Sequence, residues 1–175
     1  MGMATTAGAE EAAVASREVG VDLLGRICSF HDEILKDKAM LQQFGSVLST
    51  SLADANAAVR KCAMIALCSV LSSEDIRMED GSAELVAFQG LFGPMLKVLE
   101  ASLLADKEDD ATEELQALVG LASNEKAVFF RPVLGQLRAA MLSIASSANF
   151  EEDTRKMAME VLIVSFGGEG GGGGG

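Results

Sequence analysis

The 175-residue sequence has a formal charge of −12, is 49% apolar, lacks Trp and Tyr, and contains only two Pro. That length suffices for an ordinary domain with a real core. The acidic balance excludes nonspecific nucleic-acid binding, which needs a basic surface, and fits either a basic protein partner or simply a solvated acidic exterior. No run approaches the roughly 18 apolar residues of a membrane span, so no membrane insertion is expected.

Residues 1–9 are small and polar and are expected to be disordered. They lack the basic and apolar regions of a secretory signal. Met1, Gly2 and Thr6 fit an N-myristoylation pattern, but no basic cluster lies after them to strengthen a single acyl anchor. A first helix is expected over about 10–30, with Val19, Gly20, Leu23, Leu24, Ile27 and Cys28 on its apolar face. His31 falls at its end, where it suits a surface or capping role. The second helix spans about 37–52, with Met40, Leu41, Phe44, Val47, Leu48 and Leu52 at helical spacing. Residues 53–56 form a short turn in which Asp54 or Asn56 can cap the next helix.

The stretch 54–71 organises the chain. Val59, Cys62, Ala63, Ala66, Leu67, Val70 and Leu71 make one apolar stripe, and Met64, Ile65 and Cys68 extend it almost around the helix. Such a helix must be packed on several sides. Its phrase Arg60-x-x-Ala63-x-x-x-Leu67 returns as Arg17, Gly20, Leu24 and as Arg155, Ala158, Leu162.

Residues 73–82 are polar, contain Asp80-Gly81 and read as a loop, with Ser82 a plausible N-cap. A helix over about 83–104 carries Phe88, Leu91, Phe92, Met95, Leu96, Leu99 and Leu103; Gly90, Gly93 and Pro94 should break or bend it early. After an acidic turn at 105–110, with Asp110 and Glu113 as a capping pair, a helix is expected over 111–123. It is a degenerate copy of the organising helix, with Thr112 in the Arg position. A turn at 124–126 precedes a helix over about 128–146. Asn149 and Glu152 resemble a second capping pair for a last helix over about 151–166. Residues 167–175 are glycine with one Glu, expected to be a flexible tail.

The pattern is helix, turn, helix, repeated, and the motif starts at Arg17, Arg60, Thr112 and Arg155. The intervals lie around the period of two-helix repeats, whose apolar surfaces are buried by stacking. The expected fold is all-α: an α-α superhelix, a solenoid of HEAT or armadillo type over 10–166, with about seven helices in three to four repeats.

No phosphate loop, metal-ligand spacing or nucleophile–base arrangement is present, so neither cofactor nor enzymatic activity is expected. Cys28, Cys62 and Cys68 sit inside apolar helical patterns and read as small core residues. The acidic runs at 108–110, 113–114 and 151–153 lie at helix starts, where they complement the helix dipole. Phe88, Phe92, Phe129 and Phe130 read as core, with an outer groove for Phe-Gly repeats as the alternative.

Asp54, Val59, Arg60 and Ala63 resemble the second helix of a HEAT repeat. In that family the Asp and Arg of successive repeats form a hydrogen-bonded ladder, so the resemblance implies structural roles for Asp54, Arg60 and Arg155. More narrowly, Leu91-Phe92-Gly93-Pro94-Met95-Leu96, Phe129-Phe130-Arg131-Pro132-Val133-Leu134 and Thr154-Arg155-Lys156-Met157-Ala158-Met159-Glu160-Val161-Leu162, in that order, resemble importin-β-type nuclear transport receptors of the importin β3 (karyopherin-β) class. The resemblance implies a partial nuclear import receptor that shuttles between cytoplasm and nucleus. Its implied partners are basic cargo carrying nuclear-localisation signals, the GTPase Ran and Phe-Gly nucleoporins. Glu113, Glu114, Glu152 and Asp153 are the candidate cargo-facing acids, and no nucleic acid is implied. The repeats that grip Ran in that class are not recognisable. A mean hydropathy of +0.28 fits a piece whose end faces meet neighbours. The other readings are a HEAT scaffold of another class, such as a phosphatase structural subunit, and an inactive truncated gene product.

Overall fold

The computed structural model describes residues 3–30, 32–73, 81–123 and 127–166. His31, most of the 73–82 loop, the turn at 124–126 and the glycine tail lie outside the described residues. Every described element is helical, so the fold is all-α. Nine α-helical segments are present among the described residues. They reduce to seven when two interrupted helices are each counted once. The chain divides into two compact units, Met1–Ile76 and Arg77–Gly175.

The first unit holds α1 (Met3–Phe30), a 3-10 turn (Asp32–Lys36), α2 (Lys38–Leu52) and α3 (Ala57–Ser72). α1 starts at Met3 rather than near residue 10. Ala4, Ala7 and Ala9 are strong helix formers and extend it toward the N-terminus. Asp37 caps α2 by accepting from the N–H groups of Ala39 and Met40 at 2.8 and 3.3 Å. Asn56 caps α3 by accepting from Ala58 N–H at 2.9 Å.

α3 packs against both α1 and α2, as its nearly continuous apolar surface requires. Val59, Ala63, Met64, Ala66, Leu67, Cys68, Val70 and Leu71 are all buried. Each of the larger side chains contributes about 1.5–3 kcal/mol by leaving water. Leu35 of the 3-10 turn and Leu41, Phe44, Leu48 and Leu52 of α2 close the core.

The face expected of α1 is corrected. Val21, Gly25 and Cys28 are buried, whereas Val19 and Leu23 are 65% and 53% exposed. α3 has a helix on each side, but α1 packs principally against α3, so only part of its apolar surface is covered. The joint is tight at Gly25, where a Cβ would stand 3.0 Å from both Cα and Cβ of Ala66.

The described part of the second unit opens with Gly81 in the left-handed region (φ 77°) and Ser82, whose hydroxyl accepts from Leu85 N–H at 3.2 Å. α4 (Ala83–Gln89) and α5 (Phe92–Leu104) replace a single helix. The break falls at Gly90–Leu91, which leaves Pro94 in the first turn of α5, where its missing N–H costs nothing. α5 ends in a Schellman motif: Lys107 N–H donates to Ser102 O and Asp106 N–H to Leu103 O. Asp106 occupies its left-handed position, φ 57°.

α6 (Glu108–Ser123) begins three residues before the expected start, so Asp110 lies inside its first turn and is not the cap. The next helix is also interrupted, as α7 (Ala127–Phe130), a 3-10 turn (Arg131–Val133) containing Pro132, and α8 (Leu134–Ser146). α9 (Glu152–Phe166) packs against α6 and α8. Phe92, Phe129 and Phe130 meet edge to face, with ring centroids 5.2–6.5 Å apart. Together with Phe88 they are buried, so the core reading of these rings holds and the outer-groove alternative does not.

Candidate functional site

The polar joints between helices hold the side chains that the HEAT resemblance singles out. In the first unit the Asp54 carboxylate sits just before α3. Its Oδ1 accepts from the N–H of the capping residue Asn56 at 2.8 Å. It also accepts from Arg17 of α1, Nε to Oδ2 at 2.8 Å and a terminal guanidinium nitrogen to Oδ1 at 3.2 Å. The two-point guanidinium bond fixes geometry as well as charge. The Arg17 bond, then the Asn56 N–H, hold the Asp54 carboxyl below its ordinary value, and the carboxylate in turn raises Arg17.

The resemblance draws the Asp and the Arg of its ladder from successive repeats, and the pair formed here joins Asp54 to the Arg of the preceding motif helix. The partner of the Asp54 carboxylate is Arg17 of the preceding motif helix, not Arg60. Arg60 instead donates to the carbonyl oxygens of Asp54 and Ala55, at 2.7 and 2.9 Å, and ties down the turn. The repeated Arg-x-x-small-x-x-x-Leu phrase already marked Arg17; its pairing across 37 residues needs the tertiary structure.

The second unit solves the same joint with the charges rearranged. Asn149 stands six residues before Arg155, as Asp54 stands six before Arg60, and Thr112 replaces the Arg. Neither retains the charge of its counterpart. Glu108 in the first turn of α6 supplies the carboxylate. Its Oε2 accepts from Glu151 N–H at 2.8 Å and from the Thr154 hydroxyl at 2.6 Å, at the start of α9. Asn149 is therefore not the cap of α9; its N–H donates to Ser147 Oγ at 3.3 Å. The Nε of Arg155 is buried without a hydrogen-bond partner among the described residues. Glu108 and Thr154 carry no sequence signal for this pairing, because helix-start acids and threonines are common.

The four candidate cargo-facing acids separate. Glu114 is fully buried and accepts from Ser102 Oγ at 2.9 Å between α5 and α6, so it cannot face a partner. The helical turn that exposes Glu113 turns its neighbour inward. Glu113, Glu152 and Asp153 are exposed. Glu152 pairs with Lys156 at 2.8 Å, which holds its carboxyl below the ordinary value, and Asp153 approaches the same ammonium at 3.8 Å. The Glu108 bonds bring the starts of α6 and α9 side by side; Glu152 and Asp153 lie in the first turn of α9, and Glu113 lies farther along α6.

Each unit holds an open groove. One, of about 320 Å³, runs between α1 and α3 past Gly25, Phe30, Cys62 and Ala66. The other, of about 390 Å³, lies between α5 and α8, past Leu99, Leu103, Leu104 and Ile144. Among the described residues no cluster of His, Cys, Asp and Glu could hold a metal ion. No described helix is long and apolar enough to cross a membrane. Burial pushes the Cys28 thiol up to about 11 and the Cys68 thiol up to about 12, values of inert core cysteines rather than nucleophiles.

A family model described as IPO5-like, TPR repeats, matches residues 7–140, most of the chain. The chain belongs to this family. It is an importin-β-type chain of helical repeats, as the ordered Phe-Pro and Arg-Lys-x-Ala-Met series implied. TPR repeats have a period of about 34 residues. The motif starts of this IPO5-like chain are farther apart. No curated protein and no solved structure gives a match.

Proposed function

We propose that this IPO5-like chain is a noncatalytic binding surface of a nuclear import receptor, one that shuttles between cytoplasm and nucleus. The observation that carries the reading is the family match over residues 7–140. Glu113, Glu152 and Asp153, exposed on α6 and α9, are the acids offered to Lys- and Arg-rich cargo. Ran and Phe-Gly nucleoporins are the further partners that such a receptor engages. The overall charge of −12 supports attraction of basic cargo, which acts chiefly on encounter rate and partner choice.

The test is calorimetry of the whole chain with a Lys/Arg-rich localisation peptide, alongside capture on GTP-loaded Ran and on a Phe-Gly peptide. Binding of the basic peptide that weakens when Glu113, Glu152 and Asp153 are changed together to Lys supports the reading. Absence of binding to all three probes removes it.

A further inference from the structure

The groove between α5 and α8 has both of its walls in the second unit. α6 packs on α5 and on α9, and α9 packs on α8, whereas α5 and α8 stand apart. Their facing walls are unequal. α5 contributes Leu96, Leu99, Leu103 and Leu104, spaced along one helical face, and α8 contributes Ala140, Ser143 and Ile144, of which two are short. Long side chains facing short ones leave a slot of about 390 Å³ in place of a packed seam. Leu104 is 81% exposed, and Phe150 lines the slot half-buried.

One end of this groove is electronegative. Glu108 ties the start of α6 to the start of α9, and those starts follow the ends of α5 and α8 within a few residues. The C-termini of α5 and α8 therefore lie side by side, at the Leu104 and Phe150 end. Each carries the negative pole of a helix dipole, equivalent to roughly half a charge. Three exposed carboxylates stand along the same end: Glu100 on the α5 wall, Asp106 two residues after Leu104, and Glu151 next to Phe150. Lys107 offsets one of these charges, and Lys97 lies on α5 one turn before Glu100.

We propose that this groove receives an amphipathic helix of a partner protein, one with Leu-like anchors along one face and Lys or Arg at one end. The anchors enter the slot among the α5 leucines, Ile144 and Phe150, as a helix seats its apolar stripe in a groove. The basic end meets Glu100 and the two negative helix ends. A wholly polar basic peptide has nothing to place in the slot, and an uncharged apolar peptide leaves the electronegative end unanswered. Burial of Leu104 supplies the attraction, and the charges choose the partner and its direction. The proposal does not rest on the import reading.

The chain has neither Trp nor Tyr, so a single Trp among the Leu anchors of a synthetic helix reports its burial by a blue shift in emission. The whole chain is titrated with peptides alike in their anchors and flanked at one end by Lys, Ser or Glu. The Lys-flanked peptide should bind about tenfold more tightly than the Glu-flanked one, with the Ser-flanked one between. Leu104→Ser, and Ser143→Phe, which fills the slot from the other wall, should each weaken binding about tenfold. Both lie on exposed residues, and circular dichroism checks that helix content is retained. If Leu104→Ser loses helix, Ser143→Phe carries the test alone. Glu100→Lys should narrow the difference between the Lys and Glu flanks severalfold. Equal affinity for the three flanks, or binding unmoved by Ser143→Phe, overturns the proposal. So does a Phe-Gly peptide that displaces the Lys-flanked helix and binds more tightly. The localisation peptide of the preceding section has no anchors and should bind Ser143→Phe as it binds the native chain, so the two readings fail separately; its loss in that variant would mark one shared polar surface and overturn the groove.

Discussion

Asp54 shows how one short side chain can be asked to do two things. It takes the N–H of the residue that caps α3, and it anchors a guanidinium from another helix. Asp54→Ala removes both and should cost about 1 kcal/mol at neutral pH, measured by urea unfolding. Its carboxyl is held below the ordinary value of 3.8. The stabilisation is therefore present above that value and is lost as pH falls through the lower, folded-state one. The stability difference between the native protein and Asp54→Ala should accordingly shrink in strongly acidic buffer. Asp106 is the opposite case, a side chain that its position does not favour. A β-carbon in the left-handed conformation costs roughly 1–2 kcal/mol, which Asp partly recovers by local hydrogen bonding. Asp106→Gly should raise stability by about 0.5–1 kcal/mol, read as a shift in the thermal midpoint.

At the scale of the element, helix pairs are decided by where two backbones can approach. Gly25→Ala improves intrinsic helix propensity by about 1 kcal/mol, yet places a Cβ 3.0 Å from the Cα and Cβ of Ala66. Because one of those atoms is backbone, the clash should win, with a net loss of about 1–2 kcal/mol in chemical unfolding. The boundaries of α2 and α3, the Ser82 cap and the early break before Pro94 were legible in sequence, because they depend on neighbours within a turn or two; the interruption at Pro132 was not, and 128–146 read as one helix. The organising helix was also legible, since a nearly all-round apolar surface admits one environment. Sidedness was not. The same spacing in α1 and α3 is covered on one side in the first and on two in the second, which only the number of neighbours decides. Glu113 and Glu114 show the same limit at the candidate site: adjacent acids in one run, one in solvent and one buried against Ser102. The Glu108–Thr154 joint was hidden for a like reason, because its partners lie 46 residues apart.

Charge governs how the molecule as a whole meets others at a distance. With −12 spread over 175 residues, encounter with a basic peptide is favoured at long range and screened by salt. Raising ionic strength from about 0.05 to 0.15 M shortens the screening length toward about 8 Å and should weaken such binding severalfold in calorimetry. A peptide held mainly by apolar contacts would show little change. The cysteines have a more practical consequence. All three lie before residue 77, in the first compact unit, and Cys28 and Cys68 are buried thiols that ionise only far above neutrality. A thiol-reactive dye will therefore label them only as fast as their surroundings open, and labelling kinetics become a clock for one half of the polypeptide while the other half stays silent.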